Sequence, residues 1–232
     1  MAIFLLDKDP VFPPPTLAEG NGLLAIGGDL SPERLLEAYS RGIFPWFSPG
    51  DPLLWWSTDP RLVLKPEELH VPGSLKKVMK RGQFKITYDR MFSEVIAACA
   101  RAKRPEGEGT WITREMKIAY IRLHKMGYAH SVEAWKVVEE GVRLVGGLYG
   151  VALGGCFFGE SMFHECPDAS KVAFVTLVRD LQTWGFSIID CQMTTRHLLR
   201  FGAREMSRSA FLRILEEVVD KPVSKESWQI VA

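Results

Sequence analysis

Apolar and polar positions change their period several times along the chain, and each change marks an element. Between positions 31 and 42, Leu35, Leu36 and Tyr39 fall on one helical face. Ser31 suits the N-cap, Pro32 the first helical position and Gly42 the stop. Helical spacing returns over 74–81, and again over 89–101 with Phe92, Val95, Ile96 and Cys99 inward. It returns a third time from Thr113, with Met116, Ala119, Tyr120 and Leu123 on one stripe and Gly127 as its end. Strand-like runs follow over 129–137, 144–151 and 156–163, the last two joined as a hairpin through Gly154 and Gly155. A long helix is expected over 169–184, burying Val172, Ala173, Leu177 and Leu181 and ending at Gly185. A strand over 186–191, a short helix over 197–201 and a last helix over 209–220 complete the pattern.

The first 60 residues read differently. Nine of the fourteen prolines lie there, which forces extended or turn geometry on much of the segment. Trp46, Trp55 and Trp56 stand among them, either as a small aromatic core or as a surface for a ligand. The expected organisation is a small Pro- and Trp-rich N-terminal domain, residues 1–62, ahead of a larger domain, residues 63–232. The larger part is α+β: helices, antiparallel strands, a helix, a strand, a helix. That order is compatible with the N-acyltransferase architecture of the GNAT type.

Composition narrows the classes. With 47% apolar and 25% charged residues, the 232-residue chain is an ordinary globular protein able to bury a core. No run approaches the ~18 apolar residues of a membrane span. The apolar start, Ile3 to Leu6, meets Asp7, Lys8 and Asp9 at once and does not read as a secretion signal. Four scattered cysteines without a C-x-x-C pair argue against zinc and suit a reducing cytoplasm. No phosphate-loop, H-E-x-x-H or G-x-S-x-G motif occurs. After 156–163 there is no glycine-rich loop of the kind that holds a coenzyme A pyrophosphate, which counts against an acetyl-CoA enzyme.

Net charge is +1, but nine Lys and Arg between 76 and 104 face only Asp89 and Glu94. Such a run either attracts phosphates or is a solvated helix face. Candidate chemistry sits elsewhere. Glu160 lies among the apolar residues of Phe158-Gly159-Glu160-Ser161-Met162-Phe163. A carboxylate there is paired, raised in pKa or aimed at a cation, unless the strand turns it to solvent. Asp190 and Gln192 end an apolar strand and, two residues apart, are expected on one face. That end is a solvated terminus or a site. Trp111 follows an acidic, glycine-rich loop, and can staple the next helix or stack on a base.

At these residues the chain resembles the bacterial leucyl/phenylalanyl-tRNA–protein transferases, nearly throughout from Asn21 to Gly202. The carrying stretches are 21–31, 41–50, 54–57, 109–113, 130–131, 147–150, 158–163, 169–171 and 189–192. The resemblance implies a cytoplasmic enzyme of the N-end rule degradation route, with no metal or coenzyme. It would move Leu or Phe, and Met less well, from aminoacyl-tRNA to proteins beginning with Arg or Lys. It implies a GNAT-like larger domain. By the same resemblance Trp46 and Trp111, with Tyr39 and Tyr120 nearby, would receive the terminal adenosine. The pocket for the Leu or Phe side chain would be Leu148, Phe157, Met162, Phe174, Leu177 and Ile189. Asp190 and Gln192 would act on the incoming amine, Asp190 orienting Gln192, and Glu160 would meet the acceptor's amine or its cationic side chain. Lys76, Lys77, Lys80 and Arg81 would contact tRNA phosphates. The rival expectations are an acyl-CoA-dependent N-terminal acetyltransferase and a non-catalytic adaptor for tRNA or N-terminal Arg/Lys.

Overall fold

The computed structural model describes residues 3–102, 110–139, 141–223 and 228. Two sheets organise them. The smaller has strands β1 (Phe4–Leu6), β2 (Leu23–Gly27), β3 (Phe44–Pro45) and β4 (Leu54–Trp56), in the order β1-β2-β4-β3. The proline-rich part is therefore sheet-forming, in strands too short to give a period of two. The larger sheet has β5 (Arg61–Leu64), β6 (Lys85–Tyr88), β7 (Ala129–Val138), β8 (Gly141–Leu153), β9 (Cys156–His164), β10 (Ile188–Gln192) and β11 (Arg204–Met206). Its order is β11-β5-β10-β9-β8-β7-β6. Strand β5 runs across position 62, so the expected division falls within a strand of the larger sheet.

The helices follow the amphipathic spacing. They are α1 (Pro32–Ser40), α2 (Gly73–Lys80), α3 (Phe92–Arg101), α4 (Arg114–Lys125), α5 (Ala169–Thr183), α6 (Arg196–Leu199) and α7 (Arg208–Val218). Ser31 and Thr113 cap α1 and α4 by accepting from the N–H groups of Arg34 and Met116.

Two cores lie on the two faces of the larger sheet. Val63, Tyr149, Phe158 and Ile188 face a core shared with α1, α3, α4, α7 and the smaller sheet. Their strand neighbours Leu62, Leu64, Leu148, Phe157 and Ile189 face α2 and α5. Because both faces are covered, these strands read as continuous apolar runs and not as alternation.

Among the described residues, one pair in the larger sheet is parallel: β9 with β10, linked by the crossover helix α5. Its register ends at Phe158 opposite Asp190. Beyond that point β9 and β10 are no longer paired with each other, and the sheet opens.

Candidate active site

The opening between β9 and β10 is a cavity of about 380 Å³. Gly159 to Met162 of β9 line one side, and Cys191 to Met193 the other. Two irregularities aim its polar groups. Tyr149 pairs with Ser161 and Gly150 with Gly159, so Glu160 is an extra residue without a partner on β8. A bulge of this kind re-aims a side chain. Gly150 permits it, because a Cβ there would lie 2.3 Å from the Phe158 carbonyl oxygen and 2.5 Å from the Phe157 ring. On β10, Asp190 pairs with Val63 and Gln192 with Leu62, leaving Cys191 extra. Gln192 is left-handed, with φ 63°.

This second bulge corrects the expectation that Asp190 and Gln192 share a face. Asp190 is fully buried and accepts from Arg61 twice, Nε to Oδ1 at 2.8 Å and Nη2 to Oδ2 at 2.6 Å. The Arg61 guanidinium lies 4.8 Å from the ring centres of both Phe44 and Phe211. Asp190 Oδ1 also accepts the backbone N–H of Gln192 at 2.9 Å. It thereby fixes the turn that sends the Gln192 side chain to the cavity. Gln192 Nε2 donates to Glu160 Oε1 at 2.8 Å.

Glu160 is the hub. Besides Gln192 it accepts from Tyr39 at 2.7 Å and from Tyr120 at 3.1 Å. The two phenol oxygens also lie within hydrogen-bond reach of each other, a contact that needs a proton beyond the two given to Glu160 and so forms when Glu160 keeps its own. Burial pushes the Glu160 carboxyl up to about 7, although the three donors pull it down. Both phenols are raised well above their usual range, by burial first and then by Glu160, so they act as donors. The cavity thus has a carboxylate of near-neutral pKa at one end of an apolar chamber.

Of the residues singled out in the sequence, the cavity gathers Trp46, Trp111, Leu148, Phe157, Glu160, Met162, Phe174, Ile189 and Gln192. Tyr39 and Tyr120 do not line it; they stand fully buried behind Glu160. Leu177 is one turn beyond Phe174 on α5, in the core and also off the lining. Asp190 does not line the cavity; it is fully buried against Arg61 and holds the turn at Gln192. Lys76, Lys77, Lys80 and Arg81 are exposed on and just after α2, and no ion pair engages them among the described residues. Lys103 and Arg104 lie outside the described residues, as does most of the loop before Trp111.

Sequence reasoning missed several lining residues, among them Phe44, Met193 and His197, and it missed Arg61. Arg61 had a signal. It heads the apolar run Leu62-Val63-Leu64, and a charge in such a run needs an opposite charge from another. Cys191 lines the cavity, but burial pushes its thiol far up, so it offers no thiolate.

The profile of the leucyl/phenylalanyl-tRNA protein transferases matches residues 63–216, and that of their N-terminal domain matches 28–59. A leucyl/phenylalanyl-tRNA–protein transferase from a species of Anaeromyxobacter is 56% identical over all of this chain and 97% of its own length. The chain belongs to this family. Another leucyl/phenylalanyl-tRNA–protein transferase, from Syntrophotalea carbinolica, is 61% identical over 93% of this chain and 92% of its own. Among solved structures, L-PGS from Bacillus licheniformis reaches a TM-score of 0.39 at 11% identity, over 74% of this chain and 53% of that one. That likeness is too slight to decide anything. Membership in the transferase family makes this chain an aminoacyltransferase.

Proposed function

We propose that the cavity holds the aminoacyl end of a tRNA charged with Leu, Phe or less readily Met. The acyl group would pass to the α-amine of a protein beginning with Arg or Lys. The observation that carries this reading is one chamber with Leu148, Phe157, Phe174 and Ile189 at its apolar part and Glu160 and Gln192 at its polar part. The side chain of the donor amino acid fits the first and the reacting amine the second. Met162 in the wall can adapt to branched and aromatic guests, so near isosteres are separated by only about 1–3 kcal/mol. Trp46 and Trp111 on the rim would stack on the terminal adenosine.

In the reaction the amine nitrogen attacks the ester carbonyl carbon. The C–N bond forms, the C–O bond to the tRNA ribose breaks, an amine proton leaves and the ribose oxygen takes a proton up. The ester is already activated, and an α-amine of pKa ~7.7–8.0 needs no strong base. Glu160, at about 7, is matched to receive the proton of the incoming ammonium. Gln192 orients the amine and Asp190 orients Gln192. Positioning of this kind can supply about 7–11 kcal/mol.

The larger sheet, with one parallel pair bridged by α5, supports a GNAT-like fold for residues 63–232 behind a small unit of residues 1–62. The exposed cations of α2 support a tRNA contact. No helix of the described residues is long and apolar enough to cross a membrane. A cytoplasmic setting fits the tRNA substrate. The test is transfer of labelled Leu or Phe from charged tRNA to peptides that differ only in their first residue. Product with Arg and Lys peptides alone is expected. Labelling from acetyl-CoA, or no product from any charged tRNA, would overturn the reading.

A further inference from the structure

A second cavity of about 570 Å³ adjoins the first, and Met162 and His197 line both. Its character is different. Arg101 from the end of α3 lines it, with His164 from the end of β9 and Ser170 and Lys171 from the first turn of α5. Gly146 on β8 lets that turn settle there: a Cβ would come within 2.6 Å of Ala169 Cβ and 3.0 Å of the Ser170 nitrogen.

The start of α5 is open. No side chain caps it, and no acidic residue occupies its first turn. The N–H groups of Ala169 and Val172 reach Cys166 and Asp168, whereas those of Ser170 and Lys171 find no backbone acceptor among the described residues. Ser170 is only 4% exposed and lines the cleft. Across the cleft, His197 Nε2 is buried without a hydrogen-bond partner. Arg101 has no ion pair among the described residues. One acid, Glu165, also lines the cleft, and it is engaged by Arg143 at 2.7 Å; Asp168 beside the helix start is engaged by Lys171 at 2.7 Å. Open N–H groups at the positive end of a helix, a buried hydroxyl and a guanidinium form a receptor for an oxyanion.

We propose that this cleft holds a phosphodiester of the single-stranded 3′ end of the donor tRNA, beside the aminoacyl-adenosine in the apolar cavity. The assignment rests on the proposed donor reading. The shared wall of Met162 and His197 puts the anion site next to the acyl chamber, and the same positive charge turns away the cationic first residue of the acceptor.

Two donors test it: 3′-phenylalanyl-adenosine, which has no phosphate, and a phenylalanylated CCA trinucleotide, which has two internal phosphodiesters. Arg101→Gln, an exposed change, should lower kcat/KM about tenfold more for the trinucleotide than for the nucleoside. Ser170→Ala should do the same in kind, with folding checked by thermal melting. For Arg101→Gln the salt slope with the trinucleotide should also shrink by about 0.7. Equal losses on both donors, or no loss with either variant, overturn the proposal. So does inorganic phosphate that inhibits both donors alike while the variants leave their ratio unaltered, which would assign the cleft to a free anion. Wild-type protein that transfers from neither donor would defeat the parent reading instead.

Discussion

Glu160 and Asp190 are both carboxylates in apolar strands, and their surroundings give them opposite parts. Asp190 is paired with Arg61 inside the core, so removing it strands a buried guanidinium. Asp190→Ala should therefore destabilise the fold by about 3–5 kcal/mol, visible in urea unfolding, before any effect on turnover is read. An Asp190→Ala protein with wild-type stability would contradict the buried pairing. Glu160 is burdened by burial, not relieved by a cation. Its ordinary value of 4.5 rises to about 7 in the folded chain. Between those values the folded chain keeps the proton and the unfolded chain loses it, so this group's contribution falls as pH rises through the window. The difference in stability between wild type and Glu160→Gln should change over pH 4.5–7, by at most about 3 kcal/mol. Denaturant titrations of both proteins across that range check the sign: wild type should lose ground relative to Glu160→Gln as pH rises.

At the scale of elements, the rim and helix α2 make separable predictions. Trp111→Ala should weaken donor binding by about 1–3 kcal/mol, read as a raised KM with a smaller change in single-turnover rate. A collapsed single-turnover rate at unaltered binding would move Trp111 from platform to catalytic support. Replacing Lys76, Lys77, Lys80 and Arg81 of the α2 surface by Gln should flatten the salt dependence of tRNA binding, by roughly one unit for each phosphate no longer neutralised. An unchanged slope would take the acceptor stem away from α2. Apart from the one-turn α6, which buries no residue, the helices were legible because each buries apolar residues at helical spacing: Met116, Ala119, Tyr120 and Leu123 state α4 by spacing alone. The strands β2, β4, β5, β6 and β11 were not, being three to five residues long and, for β5, buried on both sides. The bulges at Glu160 and Cys191 were also hidden. Nothing local in an apolar strand states that one residue will go unpaired, since the partner strand decides it.

For the whole molecule, the cavity depends on partners far apart in the chain. Tyr39 comes from α1 and Tyr120 from α4, and their shared bond to Glu160 ties the N-terminal segment to the opening in the larger sheet. The sequence picked out nine of the nineteen lining residues, yet periodicity alone could not convert Tyr39 and Tyr120 from expected adenosine neighbours into holders of Glu160. That role needs the helices packed. It also explains why a chain whose expected division falls at position 62 buries one continuous core on that side, from Leu24 and Leu35 to Phe158 and Phe211. The central claim is that transfer happens at the polar end of this cavity, with Glu160 as the group that takes the amine proton. Its most direct measurement is the single-turnover rate of Phe transfer from tRNA to an Arg-initiated peptide, followed against pH for wild type and Glu160→Gln. The wild-type rate should fall tenfold per pH unit below about 7, and Glu160→Gln should lose most of the rate, with its remaining limb moved up to the amine's own pKa of ~7.7–8.0. An unaltered profile at near-wild-type rate in Glu160→Gln would contradict the account.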